Sequence, residues 1–125
     1  MKPKQIPHLK RILYIEDDED TREMVSLLLT RSNYQLTSAD SCLEGLDLAR
    51  QSSFDLYLID HTLVDGSGID LCRQIRRFDP KTPIIVCSGY TDDEHQQAAL
   101  DCGAQQFLSK PFDADQLVAL IERLS

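Results

Sequence analysis

Three acidic side chains follow short apolar segments of the sequence. Glu16 and Asp17 come directly after Arg11–Ile15, and Asp60 ends an apolar run that begins at Phe54. Carboxylates that lie close together repel one another, and a bound cation relieves that repulsion. Carboxylate oxygens with room for water molecules suit Mg²⁺, which prefers an octahedral shell of oxygen ligands. The sequence therefore predicts a magnesium site wherever these three acids meet.

The predicted magnesium site has protein ligands of two kinds. Asp17 and Asp60 are expected to bind the ion directly, whereas Glu16, one residue earlier, is expected to act through a water molecule. The backbone carbonyl of Thr62, just beyond Asp60, is expected to complete the protein share of the shell.

A hydroxyl and an ammonium group complete the set of side chains that could act on Asp60. Ser88 ends another apolar run, and Lys110 follows a further one by a single residue. An aspartate can accept a phosphoryl group covalently. A cation and Lys110 would neutralise the phosphoryl oxygens, and Ser88 would donate a hydrogen bond to them. These residue types together indicate phosphoryl transfer to Asp60.

These side chains can meet only if the apolar segments are parallel strands of one sheet. Short runs that are apolar throughout are typical of strands buried on both faces. Ligands bind beyond the carboxyl ends of such strands, where the candidate groups stand. The predicted strands are Arg11–Ile15, Tyr34–Ser38, Phe54–Asp60, Pro83–Ser88 and Gln105–Ser109. The second is the most polar, which predicts that it lies at an edge of the sheet.

A helix is predicted after each strand. The predicted N-caps are Asp20, Ser41, Ser67, Thr91 and Asp113, and four of them have Glu or Gln three residues later. The apolar residues of the first predicted helix include Met24, Val25, Leu28 and Leu29, and the second predicted helix places Cys42, Leu43, Leu46 and Ala49 on one side. Strand–helix alternation forces parallel strands with helices on both faces of the sheet. The predicted fold is a flavodoxin-like (βα)5 three-layer α/β sandwich with strand order 2-1-3-4-5.

The bulk composition indicates one globular domain of 125 residues. Its net charge of −8 argues against direct contact with nucleic acid, which needs a basic surface. No apolar run is long enough to span a membrane, and residues 1–8 are predicted to be a flexible leader. The four cysteines lack metal-binding spacing and are predicted to pack as free thiols, which indicates a cytoplasmic protein.

Four motifs make the chain resemble the receiver domains of two-component response regulators, including those of chemotaxis. In chain order, the motifs are Ile12–Asp18, Leu58–Asp60 followed by Asp65–Gly68, Val86–Ser88 and Lys110–Phe112. Each motif is weak alone, but all four at this spacing are specific. The resemblance covers nearly the whole chain and implies a receiver domain over residues 9–125.

The resemblance assigns roles to residues by position. Asp60 matches the phosphoacceptor, Ser88 the switch hydroxyl and Lys110 the lysine of the family's site. Glu16 and Asp17 match the acidic metal pair. Phe107 matches the aromatic side chain that changes rotamer on activation. The Lys110–Pro111 bond is similar to one that is cis in the family.

The sequence departs from the family's pattern near the site. Val64 stands where the family often has proline, whereas Gly89 keeps the small residue that usually follows the switch hydroxyl. Thr62 and Tyr90 occupy positions that resemble the family's rate-setting sites. Because Tyr90 is bulky, we expect it to shield the acyl phosphate from water and slow self-dephosphorylation.

The resemblance implies a phosphoacceptor signalling domain in a phosphorelay. A histidine kinase or histidine phosphotransfer protein would donate phosphoryl to Asp60 with Mg²⁺ bound. Ser88 would then move inward, Phe107 would follow, and the surface of the fourth helix, fifth strand and fifth helix would change. A downstream effector protein or a fused output domain would read that surface, and dimerisation on activation stays open. The domain would assist its own phosphorylation and dephosphorylation without being an enzyme.

Two alternative functions stay open at this point. One is a receiver-like interaction module that is never phosphorylated, which the complete set of metal, acceptor and lysine residues disfavours. The other is a small phosphatase with an aspartate nucleophile. Such enzymes carry a second aspartate two residues after the nucleophile, where this chain has Thr62.

The remaining polar residues near these motifs are given structural roles. His61 is predicted to be a loop residue that points away from Asp60, and His8 and His95 are predicted to face solvent. Asp65 and Asp70 are predicted to be capping or exposed charges rather than ligands.

Overall fold

The computed structural model describes residues 10–90 and 92–124. The predicted leader, residues 1–8, and the predicted helix cap Thr91 lie outside the described residues. Within the two described ranges, no helix combines the length and apolarity that crossing a bilayer requires.

Five parallel strands form the main sheet, and a helix follows each of them. The strands are β1 (Arg11–Ile15), β2 (Gln35–Ala39), β3 (Leu56–Asp60), β4 (Ile84–Ser88) and β5 (Gln106–Ser109). The helices are α1 (Glu19–Arg31), α2 (Cys42–Gln51), α3 (Gly68–Arg76), α4 (Asp93–Asp101) and α5 (Ala114–Arg123). The strand order is β2-β1-β3-β4-β5, with every neighbouring pair parallel. The predicted fold, order and edge position of β2 are therefore confirmed.

Two hydrophobic clusters fill the spaces between the sheet and its helices. Successive side chains of a strand point to opposite faces, so Leu13 and Ile15 join one cluster while Ile12 and Tyr14 join the other. α2, α3 and α4 cover the first cluster, and α1 and α5 cover the second. Each large apolar side chain buried in this way contributes about 1.5–3 kcal/mol. The result is the predicted three-layer sandwich.

Three of the five predicted N-caps are found in the structure. Ser41 accepts a hydrogen bond from the Glu44 backbone N–H, and Ser67 accepts one from that of Ile69. Asp113 and Gln116 form a reciprocal capping box at the start of α5. These bonds satisfy N–H groups that have no partner within the helix.

Two helices begin at other residues than predicted. The cap of α1 is Asp18, which accepts from the Thr21 N–H at 3.0 Å, so Asp20 lies inside the first turn. Asp18 and Asp20 are both able to cap, and the helix begins at the earlier of the two. At α4 the cap is Asp92, which accepts from the His95 N–H at 2.9 Å.

Met24 and Leu43, apolar residues of the first two helices, are exposed. Leu43 is 68% exposed, so its placement on the buried side of α2 is wrong, and Met24 of α1 is 65% exposed. The stripe of α1 that meets the sheet contains Val25 and Leu29, four residues apart, and Met24 lies to one side of it. On α2, the stripe is centred on Gly45, where the helix approaches β1 closely, and Leu43 lies away from it.

A short antiparallel ribbon follows β3, in a segment predicted to be a loop. It pairs Thr62–Leu63 with Gly66–Ser67. Asp65, at its turn, accepts hydrogen bonds from the backbone N–H groups of Cys42 and Leu43 at 2.7 and 3.0 Å. The predicted capping role of Asp65 is thus confirmed, although it caps α2 rather than α3, the next helix in the chain.

The carboxyl end of α4 is tied to α3 by Arg76. Gly103 follows α4 with φ of 103°, a left-handed conformation that favours glycine directly after a helix. The Arg76 guanidinium donates to the Gly103 carbonyl through Nε at 3.0 Å and through Nη2 at 2.9 Å. Nη1 also donates to the carbonyls of Asp79 and Thr82. One side chain therefore joins three segments at the edge of the sheet opposite Asp60.

Candidate functional site

The carboxyl ends of four strands lie at one edge of the main sheet. Ile15 of β1 is paired with Ile59 of β3, so the acids that follow β1 lie beside Asp60. Cys87 of β4 is paired with Asp60, and Ser88 extends one residue further. β5 stays in register with β4 to its last residue. Parallel pairing therefore brings the candidate side chains to the same edge, as the sequence predicts.

Three carboxylates meet at this edge. Glu16, Asp17 and Asp60 each offer an oxygen, and these oxygens lie within 4.8 Å of one another. Glu16 is 2% exposed and Asp60 is 7% exposed, so water screens their mutual repulsion weakly. Arg22 Nη1 donates to the backbone carbonyl of Glu16 at 2.9 Å, which fixes the chain where it leaves β1.

Lys110 places its ammonium group against two of these carboxylates. Nζ lies 2.6 Å from Oδ1 of Asp60 and 3.1 Å from Oε1 of Glu16. The Lys110 backbone N–H donates to the Ser88 carbonyl at 2.8 Å, which holds the residue beside the end of β4. The Lys110–Pro111 peptide bond is cis, as the family resemblance implied.

Burial and neighbouring charges shift the pKa values of two groups in this cluster. Burial, followed by repulsion from Asp60, raises the pKa of Glu16, and the attraction of Lys110 offsets only part of that increase. Burial by itself would lower the pKa of Lys110, but hydrogen bonding and attraction from Asp60, then from Glu16, raise it overall. Lys110 is therefore charged at neutral pH, whereas ionised Glu16 carries a penalty that a cation would relieve.

Ser88 reaches this edge, but its hydroxyl is bonded elsewhere. Ser88 is 2% exposed, and its Oγ accepts from the Tyr90 backbone N–H at 3.0 Å. Its second partner is Nδ1 of His61, 3.1 Å away. His61 lies in the bend that follows β3, as predicted, and its ring contacts Ser88 at the same edge of the sheet. His61 is the residue near the site that sequence reasoning missed, and the available signal was its position directly after Asp60.

Aromatic rings continue from His61 toward α4. The His61 ring packs edge-to-face against Tyr90 and against His95, with ring centroids 5.7 and 5.4 Å apart. Tyr90 stacks on His95 with a centroid distance of 4.5 Å. The His95 side chain, predicted to face solvent, is about one third exposed, and its ring also packs on these two neighbours. Burial, then the nearby His95, lowers the pKa of His61, although Asp60 acts in the opposite direction.

The other predicted site residues lie around the cluster. Thr62 is exposed and begins the ribbon directly beyond Asp60, and Val64 is exposed at the ribbon's turn. Phe107 of β5 is partly buried against the cluster beneath α2, α3 and α4. A Cβ atom added to Gly89 would meet no heavy atom within 4 Å, so packing does not require glycine there in this conformation.

The acidic cluster has the chemistry of a site for a hard divalent cation. Among residues 10–90 and 92–124, it is the one group of three His, Cys, Asp or Glu residues whose ligand atoms could hold an ion. Its carboxylate oxygens suit Mg²⁺ or Ca²⁺ rather than a softer metal. Lys110 contacts two of the three carboxylates, and its one positive charge does not balance their three formal negative charges. The residues present therefore fit a divalent cation.

Solved structures similar to this one cover almost the whole chain. A CheY-like response regulator receiver domain protein from Methanospirillum hungatei JF-1 is 30% identical, with a TM-score of 0.89 and 94% of each chain covered. The chemotaxis protein CheY4 of Vibrio cholerae is 26% identical, with a TM-score of 0.90 over 94% of this chain and 100% of that one. The fold is therefore that of CheY-like receiver domains.

Sequence comparison identifies the same class. The model of the response regulator receiver domain matches residues 12–122. The response regulator ArlR of Staphylococcus epidermidis is 35% identical over 113 residues, which are 90% of this chain and 51% of ArlR. The cell cycle response regulator CtrA of Brucella ovis is 34% identical over 114 residues, 91% of this chain and 49% of CtrA. The chain belongs to the receiver domains of two-component response regulators, and it spans about half the length of these two relatives.

Proposed function

We propose that Asp60 is the phosphoacceptor of this receiver domain and that Mg²⁺ is its cofactor. The observation that carries the proposal is the position of the Asp60 carboxylate, 2.6 Å from the Lys110 ammonium and within a cluster of three acids. A buried carboxylate in contact with an ammonium and a cation site has the two positive partners that a phosphoryl group needs.

Each residue of the cluster has a separate task in this proposal. A carboxylate oxygen of Asp60 forms a bond to phosphorus while the bond from phosphorus to the donor's imidazole nitrogen breaks. Asp17, Asp60 and the Thr62 carbonyl, with Glu16 acting through a water, would hold Mg²⁺, which would supply positive charge to the phosphoryl oxygens. Lys110 neutralises a further oxygen and orients the acceptor carboxylate through its present contact.

The proposed output is a change of surface rather than a chemical product. Ser88 turns its hydroxyl toward the phosphoryl group, and Phe107 moves into the space that this opens. The surface of α4, β5 and α5 then differs between the two states, and a partner distinguishes them. The domain assists its own phosphorylation and dephosphorylation, and no separate substrate is turned over.

The proposed partners follow from this chemistry. A sensor histidine kinase or a histidine phosphotransfer protein supplies the phosphoryl group, and an effector protein or a fused output domain responds. The proposed domain extends over residues 9–125, slightly beyond the matched residues 12–122. The four free thiols favour the cytoplasm as its compartment.

Phosphoryl uptake can be tested without the natural kinase. The full chain is incubated with acetyl phosphate and Mg²⁺, and its intact mass is measured with time. We expect one phosphoryl group per chain, and no uptake when a chelator replaces Mg²⁺. A chain that stays unmodified under these conditions would contradict the proposed function. Hydrolysis of a generic phosphate ester, with turnover, would favour the phosphatase alternative instead.

Mg²⁺ is expected to stabilise the folded chain. Because the acidic cluster exists only in the folded state, ion binding at about 100 times the Kd should raise the free energy of unfolding by about 2.7 kcal/mol. Urea unfolding with and without Mg²⁺, at constant ionic strength, measures this difference. We expect Asp17→Asn to remove most of it, whereas Asp20→Asn, on an exposed acid in α1, should retain it. Equal stabilisation of both variants would place the ion elsewhere.

Tyr90 is expected to slow the loss of the phosphoryl group. Its ring, about half exposed, packs against His61, the residue that follows Asp60, and in that position we expect it to limit the approach of water. We expect Tyr90→Ala to release phosphate several-fold faster than the parent, as followed by the decay of the phosphorylated mass. Tyr90→Phe keeps the ring and should decay at the parental rate. Release from Tyr90→Ala at or below the parental rate would rule out shielding.

A further inference from the structure

The hydroxyl of Ser88 has one proton, and the structure indicates where it goes. The backbone N–H of Tyr90 can only donate, so Oγ accepts in that bond. The other partner is Nδ1 of His61 at 3.1 Å. If Nδ1 carried a proton, Oγ would accept two hydrogen bonds and its own proton would be buried without an acceptor, which is costly. The hydroxyl therefore donates to a bare Nδ1, and the His61 ring carries its proton on Nε2.

His61 can hold this hydroxyl in place because its own backbone is fixed. The His61 N–H donates to the Cys87 carbonyl at 2.8 Å, and the His61 carbonyl accepts from the Gly68 N–H at 2.8 Å. These two bonds attach the residue to β4 on one side and to the start of α3 on the other. The ring thus extends from a rigid part of the scaffold toward Ser88.

The same ring contacts the beginning of α4. Its edge packs on Tyr90 and His95, whose rings are stacked. Asp92, the cap of α4, accepts from the His95 backbone N–H and also contacts its Nδ1. A chain of direct contacts therefore runs from the Ser88 hydroxyl through His61 to the first turn of α4.

We propose that His61 is a positioning residue that holds the Ser88 hydroxyl in its resting orientation and couples its release to the first turn of α4. This inference rests on the proposed function, because it concerns how Ser88 becomes available to a phosphoryl group on Asp60. Ser88 cannot donate its single proton to Nδ1 and to a phosphoryl oxygen at the same time. Activation must therefore break the His61 bond, which biases the domain toward its resting state.

Beryllofluoride with Mg²⁺ is the probe for this bias, because it mimics a phosphoryl group on aspartate without turning over. We expect His61→Leu, which removes the acceptor, to bind beryllofluoride about fivefold tighter than the parent, the equivalent of one neutral hydrogen bond. His61→Asn keeps an acceptor oxygen near the position of Nδ1 and should bind with parental affinity. In a Ser88→Ala background, where the hydroxyl is absent, His61→Leu and His61→Asn should give equal affinities for beryllofluoride. Tightening by His61→Leu that persists in that background would overturn the proposal.

A spectroscopic test does not depend on how the variants fold. Nitrogen NMR of the imidazoles in the resting parent should show His61 as the Nε2–H tautomer, with an Nδ1 resonance that changes on adding beryllofluoride or on Ser88→Ala. A resting Nδ1–H tautomer would overturn the inference. A parent that binds no beryllofluoride would overturn the proposed function, and the inference with it. Binding together with an Nδ1–H tautomer would overturn the inference alone.

The coupling between His61 and the first turn of α4 can be measured separately. Amide hydrogen exchange in the first turn of α4 should rise when the parent binds beryllofluoride, and should already be raised in free His61→Leu. The carboxyl half of α1, which contains Val25 and Leu29, lies on the other face of the sheet, outside the surface proposed to change, and is the internal control. Unchanged exchange at α4 in both cases would overturn the coupling to this helix.

Discussion

Replacing Asp60 by asparagine is expected to abolish covalent phosphoryl uptake from acetyl phosphate. A carboxamide is a weak nucleophile and has no charge to share with Mg²⁺, although it fills nearly the same volume. The fold should persist, because Lys110 retains its contact with Glu16 at 3.1 Å and one source of repulsion is removed. Intact mass after incubation measures uptake, and urea unfolding in the absence of Mg²⁺ should show stability at least equal to that of the parent.

The matched control for this substitution is Asp70→Asn. Asp70 is exposed on α3, where its contact is a surface ion pair with Arg73. Surface pairs of this kind contribute little, so both uptake and stability should stay parental. The assignment of Asp60 as the phosphoacceptor would be refuted if Asp60→Asn still gained a phosphoryl group with an unchanged requirement for Mg²⁺.

Replacing Gly68 by alanine is expected to cause a large loss of stability. A Cβ atom there would lie 2.2 Å from the backbone carbonyl oxygen of Asp60 and 2.9 Å from Cγ2 of Ile59. The backbone cannot easily retreat, because the Gly68 N–H is bonded to the His61 carbonyl at 2.8 Å. We expect a loss of about 3 kcal/mol in urea unfolding, since overpacking against backbone relaxes poorly. Phosphoryl uptake should also fall, because Asp60 is displaced.

Gly89→Ala is the control for a glycine at the same edge of the sheet. A Cβ atom at Gly89 meets open space, so we expect its free energy of unfolding to stay within about 1 kcal/mol of the parental value. Equal stabilities of the two alanine variants would show that the approach of α3 to β3 is less close than the structure indicates.

The sequence was sufficient to predict the sheet and the acidic cluster. Apolar runs that stop at an acidic residue, as at Glu16 and Asp60, mark buried parallel strands and the edge where ligands bind. Because parallel pairing puts successive carboxyl ends together, the meeting of Glu16 and Asp60 follows from strand order alone. Lys110 could be added because it follows the last strand by one residue.

The environment of His61 could not be predicted in this way. Whether a side chain beyond a strand turns toward or away from its neighbour depends on its rotamer and on the local turn. Here the rotamer is set by rings of Tyr90 and His95 that belong to another βα unit. For a similar reason, the exposure of Leu43 was missed, since a stripe of four apolar residues on a helix has two edges and only packing shows which edge is covered.

The hydrogen bonds from Arg76 to Gly103 restrict how α4 can move. Its guanidinium fixes the last turn by two hydrogen bonds, whereas the opposite end is held by ring contacts. A nine-residue helix is about 13 Å long. If its amino end shifts by about 1 Å while its carboxyl end stays fixed, the axis tilts by about 4°. Any displacement of α4 should therefore be a tilt about a fixed pivot at Arg76, greatest at the end that faces the site.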